Sequence, residues 1–192
     1  MGKYTVFADV GKAIVDMLRD QMAPEPISKS EYIGLCDPKE RGSFVLGIHP
    51  YNIKEITEIR MDNPIVLPDG NLVDPPTNYE LYYMISIVSK SEVASKSLDE
   101  HRILGRLLQI MSDNKVVPKK YLSDSMKTQD EDIRIQMIPM DLEEKVKIWT
   151  MFNEPYKLST FYMISPVVVD SNVVRTPAKR VVSFEASTNI RK

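Results

Sequence analysis

Tyr79-Glu-Leu-Tyr-Tyr-Met-Ile-Ser-Ile87 decides the fold. Tyr79, Leu81, Tyr83, Ile85 and Ile87 recur at every second position, the period at which side chains leave a strand on alternate faces. The other set, Tyr82, Met84 and Val88, is nearly as apolar. A strand that is apolar on both sides belongs in the middle of a sheet.

C-terminal to this strand the period changes. From Glu92 to Asn114, Ile103, Leu104, Leu107, Leu108, Ile110 and Met111 make one wide helical stripe, with Arg102, Arg106, Gln109 and Asp113 on the far side. This reads as the main helix on the sheet. After a polar connection through Pro118 to Asp130, Ile133, Ile135 and Met137 alternate with Arg134 and Gln136 as a short strand with one wet face. Asp141 three residues before Glu144 has the spacing of a capping box, with Leu142, Val146 and Trp149 on a short helix that Pro155 ends. A long last core strand runs from Leu158 to about Val169.

N-terminal to the central strand, Val6, Val10, Ala13, Ile14, Met17 and Leu18 recur at helical spacing opposite Asp9, Lys12, Asp16, Arg19 and Asp20. Pro24 and Pro26 stop that helix, because proline lacks the N–H that would continue it. Residues 28–42 are polar and turn-rich. Phe44, Leu46 and Ile48 then alternate as a strand, which Pro50 either interrupts or bends as a bulge. The stretch Met61 to Thr77, with four prolines from Asn63 to Pro76 and the Asp69-Gly70 turn signature, reads as a long hairpin-like loop. The expected fold is α/β (α+β): a single mixed or mostly antiparallel sheet of about four to five strands with helices packed on it. Residues 1–169 form one domain and 170–192 an extended C-terminal arm.

Composition narrows the function. A chain of 192 residues buries roughly 70% of its unfolded surface and needs no staples. The formal net charge is −2 with both signs dispersed, which argues against a nucleic-acid or anionic-membrane partner. No apolar run is long enough to span a bilayer, and the first residues lack a secretory signal pattern. With Cys36 as the only cysteine, no internal disulfide or thiolate cluster forms, and a reducing cytoplasm is the expected place of assembly.

Residues that carry catalysis are sparse. His49 and His101 are the only histidines, and neither has a partner at metal-ligand spacing. Cys36 has no histidine beside it in sequence, so a small buried hydrophobe is the simpler reading. The carboxylate pairs Asp99-Glu100 and Glu143-Glu144 lie next to Arg or Lys on faces expected to be solvated. No glycine-rich phosphate loop is present. The expectation is a non-enzymatic protein with no cofactor and no metal.

Two features point to protein partners. Arg102 and Arg106 are like charges at i, i+4, which a carboxylate on a partner, or Asp99 in the same helix, would compensate. In the arm, Val182 and Phe184, or Val181 and Phe184, present an apolar edge to a neighbour if Arg180 to Glu185 is extended. Such an arm either adds a strand to another chain's sheet or is a frayed end.

Several segments in order resemble the cap, or tail-terminator, proteins of extracellular contractile injection systems, the phage-tail-like particles of the antifeeding-prophage and virulence-cassette type. They are Val10-Gly11, Leu46-Gly-Ile-His-Pro-Tyr-Asn-Ile-Lys-Glu55, Tyr79-Glu-Leu-Tyr-Tyr-Met-Ile85, Glu100-His-Arg-Ile-Leu-Gly-Arg106, Leu142-Glu-Glu-Lys-Val-Lys-Ile-Trp149 and Pro155-Tyr-Lys-Leu-Ser159. The resemblance implies a homohexameric ring that closes the inner tube, binds the last sheath layer and ends polymerisation. Its partners are further copies of itself and the tube and sheath subunits. It is assembled in the bacterial cytoplasm, becomes part of the finished particle and is released by cell lysis. The rival readings are a neck or baseplate adaptor ring of the same kind of particle, and a small-ligand-binding or hydrolytic domain. His49-Pro50 departs from a smooth strand and puts that edge's pairing in question.

Overall fold

A computed structural model describes residues 4–58, 63–127 and 131–176. In chain order the elements are α1 (Val6–Met22), β1 (Ile33–Leu35), β2 (Leu46–Glu55), β3 (Ile65–Val66), β4 (Leu72–Val73), β5 (Thr77–Ile87), α2 (Val93–Asp113), α3 (Asp124–Lys127), β6 (Arg134–Met137), α4 (Leu142–Met151), β7 (Ser159–Val169) and β8 (Val174–Arg175). Five strands make the main sheet in the order β1-β2-β5-β7-β6. The β1–β2 pair is parallel and the other three pairs are antiparallel, as a mixed, mostly antiparallel sheet requires. β5 takes the central place that its two apolar faces demand.

Those faces carry two separate cores. Leu81, Tyr83, Ile85 and Ile87 join Tyr162, Ile164 and Val167 of β7 in a large cluster roofed by α1 and α2. On the opposite face Met84 and Phe161, paired across β5 and β7, receive Trp149 of α4 in a small one. The indole Nε1–H donates to Ser159 Oγ at 3.0 Å, so the one polar atom of the largest buried side chain is satisfied.

α1, more than α2, is the main helix on this sheet. Nine of its 17 residues are buried, against four of 21 in α2. Gly11 lets it settle there, since an added Cβ would stand 3.1 Å from Leu35 Cδ1. Only the C-terminal half of α2 is in the core, through Ile103, Leu107, Ile110 and Met111. Its first turns have no buried residue. α4 starts with the expected capping box: the Asp141 N–H donates to Glu144 Oε2 at 3.1 Å, and the Asp141 side chain accepts from the Glu144 backbone.

β2 runs straight through Pro50 with a register shift between Pro50 and Asn52 that leaves Tyr51 as the extra residue of a bulge. Proline is tolerated because β1 covers β2 only as far as Ile48, so the position without an N–H faces an uncovered edge. Two features differ from the sequence reading. Within the polar stretch 28–42 lies β1, and Gly34 in it packs so closely on Phe44 that a Cβ would fall 2.4 Å from the ring. Within the 61–77 loop, β3 and β4 form the expected hairpin, and the difference is that β8 adds to it as a third strand. The segment assigned to the arm therefore begins by pairing with its own chain, fixed further by Arg175 Nη2 donating to Asp74 Oδ2 at 2.7 Å.

Candidate interaction surface

Buried Ser86, Ser89 and Ser159 are bonded within the fold, whereas Tyr51 Oη, Thr160 Oγ1 and Asp170 Oδ2 are buried without a hydrogen-bond partner among the described residues. Arg41 bonds Phe44 O at 2.8 Å, Ser86 Oγ at 2.7 Å, Val45 O at 2.8 Å and Ser86 O, tying the 37–44 loop to β2 and β5. Burial lowers its pKa, opposed by the nearby Cys36 and Glu100 groups. The Cys36 thiol lies beside Gly47, where an added Cβ would meet its Sγ at 2.6 Å. Burial pushes that thiol up, against the pull of Arg41, so it is not poised as a thiolate nucleophile. His49 does reach Cys36, which spacing in sequence did not reveal. Its Nδ1 lies 3.1 Å from the Cys36 carbonyl oxygen, not the thiol, so the proton sits on Nδ1. His101 is exposed on α2. Among the described residues no group of three or more His, Cys, Asp or Glu is placed to hold a metal ion, and no helix is long and apolar enough to cross a membrane.

What the fold offers to partners is decided by its edges and faces. The two edge strands of the main sheet are tied back within the chain, while β2 beyond Ile48 has no strand on its outer side among the described residues. On β1 the outward Ile33 N–H donates to Ser30 O, and its carbonyl accepts Arg19 Nε at 2.9 Å. On β6 the Ile135 N–H donates to Lys115 O at 2.8 Å and the Val117 N–H to Ile133 O at 2.9 Å. The small ribbon is different. Leu67 N–H donates to Asn71 O at 2.8 Å and Asp74 N–H to Val173 O at 3.4 Å, so by alternation Val66 and Val174 direct their N–H and C=O groups away from β4. Both are exposed valines whose outward backbone groups have no partner among the described residues, and such an edge is where an added strand pairs most readily.

Of the faces, the α4 side of the main sheet is only partly covered. Beyond Trp149, Tyr82 donates to Glu80 Oε2 at 2.6 Å, which raises its pKa to about 12. A depression of about 650 Å³ opens next to Arg134, Gln136, Met163 and Pro166. Glu131 and Asp132 at its rim add charge of the opposite sign to Arg134, so it holds mixed charge with no convergent acid–base set.

The residues picked from sequence fall in three places. Arg106 is turned inward: its Nε and Nη2 donate to the Gln21 carbonyl at 3.2 and 3.1 Å, securing the end of α1, and Nη1 donates to Gln109 Oε1 at 2.9 Å. Arg102 is exposed and has no partner among the described residues. Arg180, Val181, Val182 and Phe184 lie outside the described residues. Sequence reasoning missed Leu98, 57% exposed on α2, and the ridge of Leu142 and Val146 on α4, 64% and 41% exposed. The sequence reading groups the last two with Trp149 behind the capping box, but Trp149 alone is buried, because α4 touches the sheet only at its C-terminal end.

No individual curated protein matches the sequence. Solved structures share the fold. The sheath/tube terminator of an extracellular contractile injection system, PVC, in its extended state superposes with a TM-score of 0.62, covering 98% of this chain and 66% of that one at 19% identity. The tube-terminating cap of the anti-feeding prophage gives a TM-score of 0.62, covering 94% of this chain and 61% of that one at 15% identity. The chain thus spans just under two thirds of the length of these structures, and the expected terminator-like α/β fold is met. A family model described as the Pvc16 N-terminal domain matches residues 9–183. That stretch runs from the first turn of α1 through β8, and the chain belongs to the Pvc16 N-terminal domain family.

Proposed function

We propose that this chain is the ring-forming cap of a contractile injection particle, closing the inner tube and holding the last layer of sheath. The observation that carries the reading is the terminator fold, shared over 98% of the chain with a sheath/tube terminator. Its physical character agrees. Net charge near zero suits contacts among identical subunits, where a large charge would repel. The edge strands β1 and β6 are tied back within the chain, while the β3-β4-β8 ribbon has exposed backbone groups without partners among the described residues.

On this reading the protein assembles as a homohexamer, binds tube on one side and sheath on the other, and does no catalysis. Assembly takes place in the cytoplasm before the particle is released. Arg102 lies on a subunit contact. The arm, carrying Arg180, Val181, Val182 and Phe184, adds as a strand to a neighbouring subunit or to sheath. Light scattering on purified chain eluting from a sizing column tests the ring, and a closed hexamer is expected. A species that stays monomeric at high concentration, and also when mixed with tube and sheath proteins, contradicts it.

A further inference from the structure

The three-stranded ribbon has two outer edges, and they are not alike. On β3 the outward Val66 stands between Pro64 and Pro68, neither of which has an N–H to give a partner strand. That edge is blunted in the usual way of edges that must stay unpaired. On β8 the outward Val174 stands between Asn172 and Thr176, which keep theirs. Of the two, β8 is the edge able to take a strand. One face of the ribbon is also unfinished there. Ile65, Val73 and Val174 are cross-strand neighbours in a row, and Ile65 and Val174 at its ends are exposed.

The strand whose charges match this edge lies in the same sequence. The receiving segment carries Asp170 and Arg175, an acid and a base five positions apart. The arm carries Arg180 and Glu185, a base and an acid at the same interval, with Val182 and Phe184 between them. Laid parallel to 170–175, it brings Arg180 to Asp170, Glu185 to Arg175, and Phe184 beside Val174, where it extends the aliphatic row. Laid antiparallel, it opposes Arg180 to Arg175 and Glu185 to Asp170. The receiving charges have capacity left. Asp170 is half-buried with no ion pair among the described residues, and its Oδ2 has no hydrogen-bond partner there, so a cation beside its carboxylate is missing. Arg175 is exposed and bonds only Asp74, through Nη2. Charge acts at longer range too. The residues after 176 hold Lys179, Arg180, Arg191 and Lys192 against the one acid Glu185, in a chain whose total charge is −2, so a basic arm meets an acidic body.

A parallel partner is not the chain's own arm. Parallel neighbours need a crossover of about a dozen residues or more, and only residues 176–179 separate Arg175 from Arg180. A second copy is under no such limit, because the stretch from Thr176 to Glu185 spans about 30 Å when extended. We infer that residues 180–185 of one copy add as a parallel strand to the β8 edge of the next. Each copy then gives one strand and receives one, a head-to-tail contact of the kind that closes rings. This rests on the ring reading above and names the edge that the arm takes.

Exchanging the two arm charges, Arg180→Glu with Glu185→Arg, tests the direction while leaving the described domain and the net charge as they are. By sedimentation velocity on the full chain, the exchanged variant should need at least about tenfold more protein to assemble than the wild type, since like charges now face each other along the strand. Val174→Cys with Phe184→Cys in a Cys36→Ser chain tests the edge. Mild oxidation should give a ladder of crosslinked multimers on a denaturing gel, and either cysteine alone should give none. A chain crosslinked only to itself would overturn the inference, because the arm would then cover its own β8. If the wild type makes rings but the exchanged variant assembles as readily, or no ladder forms, this contact is wrong while the ring reading stands. If the wild type remains monomeric alone and with tube and sheath proteins, both fall.

Discussion

The two faces of the sheet share their strands and differ in what covers them. Against α1 and α2 the sheet buries one continuous core that draws on almost every element. Against α4 it buries Met84, Phe161 and Trp149, and the rest of that side is open. Stability resides on the first face. The second has apolar and charged groups to spare, as expected of a subunit that meets others.

Tryptophan to alanine at 149 is the sharpest way to probe this contrast. It empties the centre of the small core and leaves Ser159 without its donor, and truncations of buried aromatics cost about 3–5 kcal/mol. If the small core is a satellite, hydrogen exchange should show α4 losing protection while β5 and α1 retain theirs. Equal loss everywhere would mean one cooperative core. On the other face Leu107→Ala should cost about 2–5 kcal/mol in chemical denaturation, spread over the whole domain. A change within error of zero would remove α2 from the core. Gly34→Ala should cost about 1–3 kcal/mol by forcing Phe44 out of its place beside β1.

Two tyrosines at adjacent positions separate the faces by pH. Tyr83, in the large core, is raised from 10.0 to about 12 by burial. Tyr82, on the α4 side, is raised from 10.0 to about 12 chiefly by its hydrogen bond to Glu80. Both bind their protons more tightly folded than unfolded. Stability should therefore be level below about pH 10 and fall as pH rises toward 12. Tyr83→Phe should flatten that fall without adding a charge, and Tyr82→Phe should flatten it less, because its hydroxyl is far less buried. An alkaline fall left unchanged by Tyr83→Phe would contradict the burial of that hydroxyl. The smallest effect on stability should come from ending the chain at residue 176, which keeps β8 and its bond to Asp74. The thermal midpoint should be unchanged, and a loss of ring assembly would place the missing residues on a neighbour.

Legibility in sequence followed the same division. The central strand, the first helix and the capping box were readable because each is fixed by local chemistry: alternation, helical period, side-chain spacing; at Pro50 the missing N–H marked an irregularity but left an interruption and a bulge both open. β1 was not readable, since three residues that include a glycine show no period. They become a strand only because β2 is there to pair with. β8 was hidden for a similar reason, its two residues being held by a hairpin a hundred positions earlier in the chain. The interaction surface was half visible. Arg102 stood out by its charge, but the exposure of Leu98 needed the knowledge that the first turns of α2 bury nothing, and the α4 ridge was grouped with Trp149 because an apolar stripe does not say how far along it the contact extends.

The central claim is termination, and its most direct test is electron microscopy of particles from producing cells in which this chain is deleted and then restored. The account predicts inner tubes of uncontrolled length with sheath lost or contracted in the deletion, and uniform, sheathed particles bearing a ring at one end on restoration. Particles of normal length with extended sheath in the absence of the chain would contradict it.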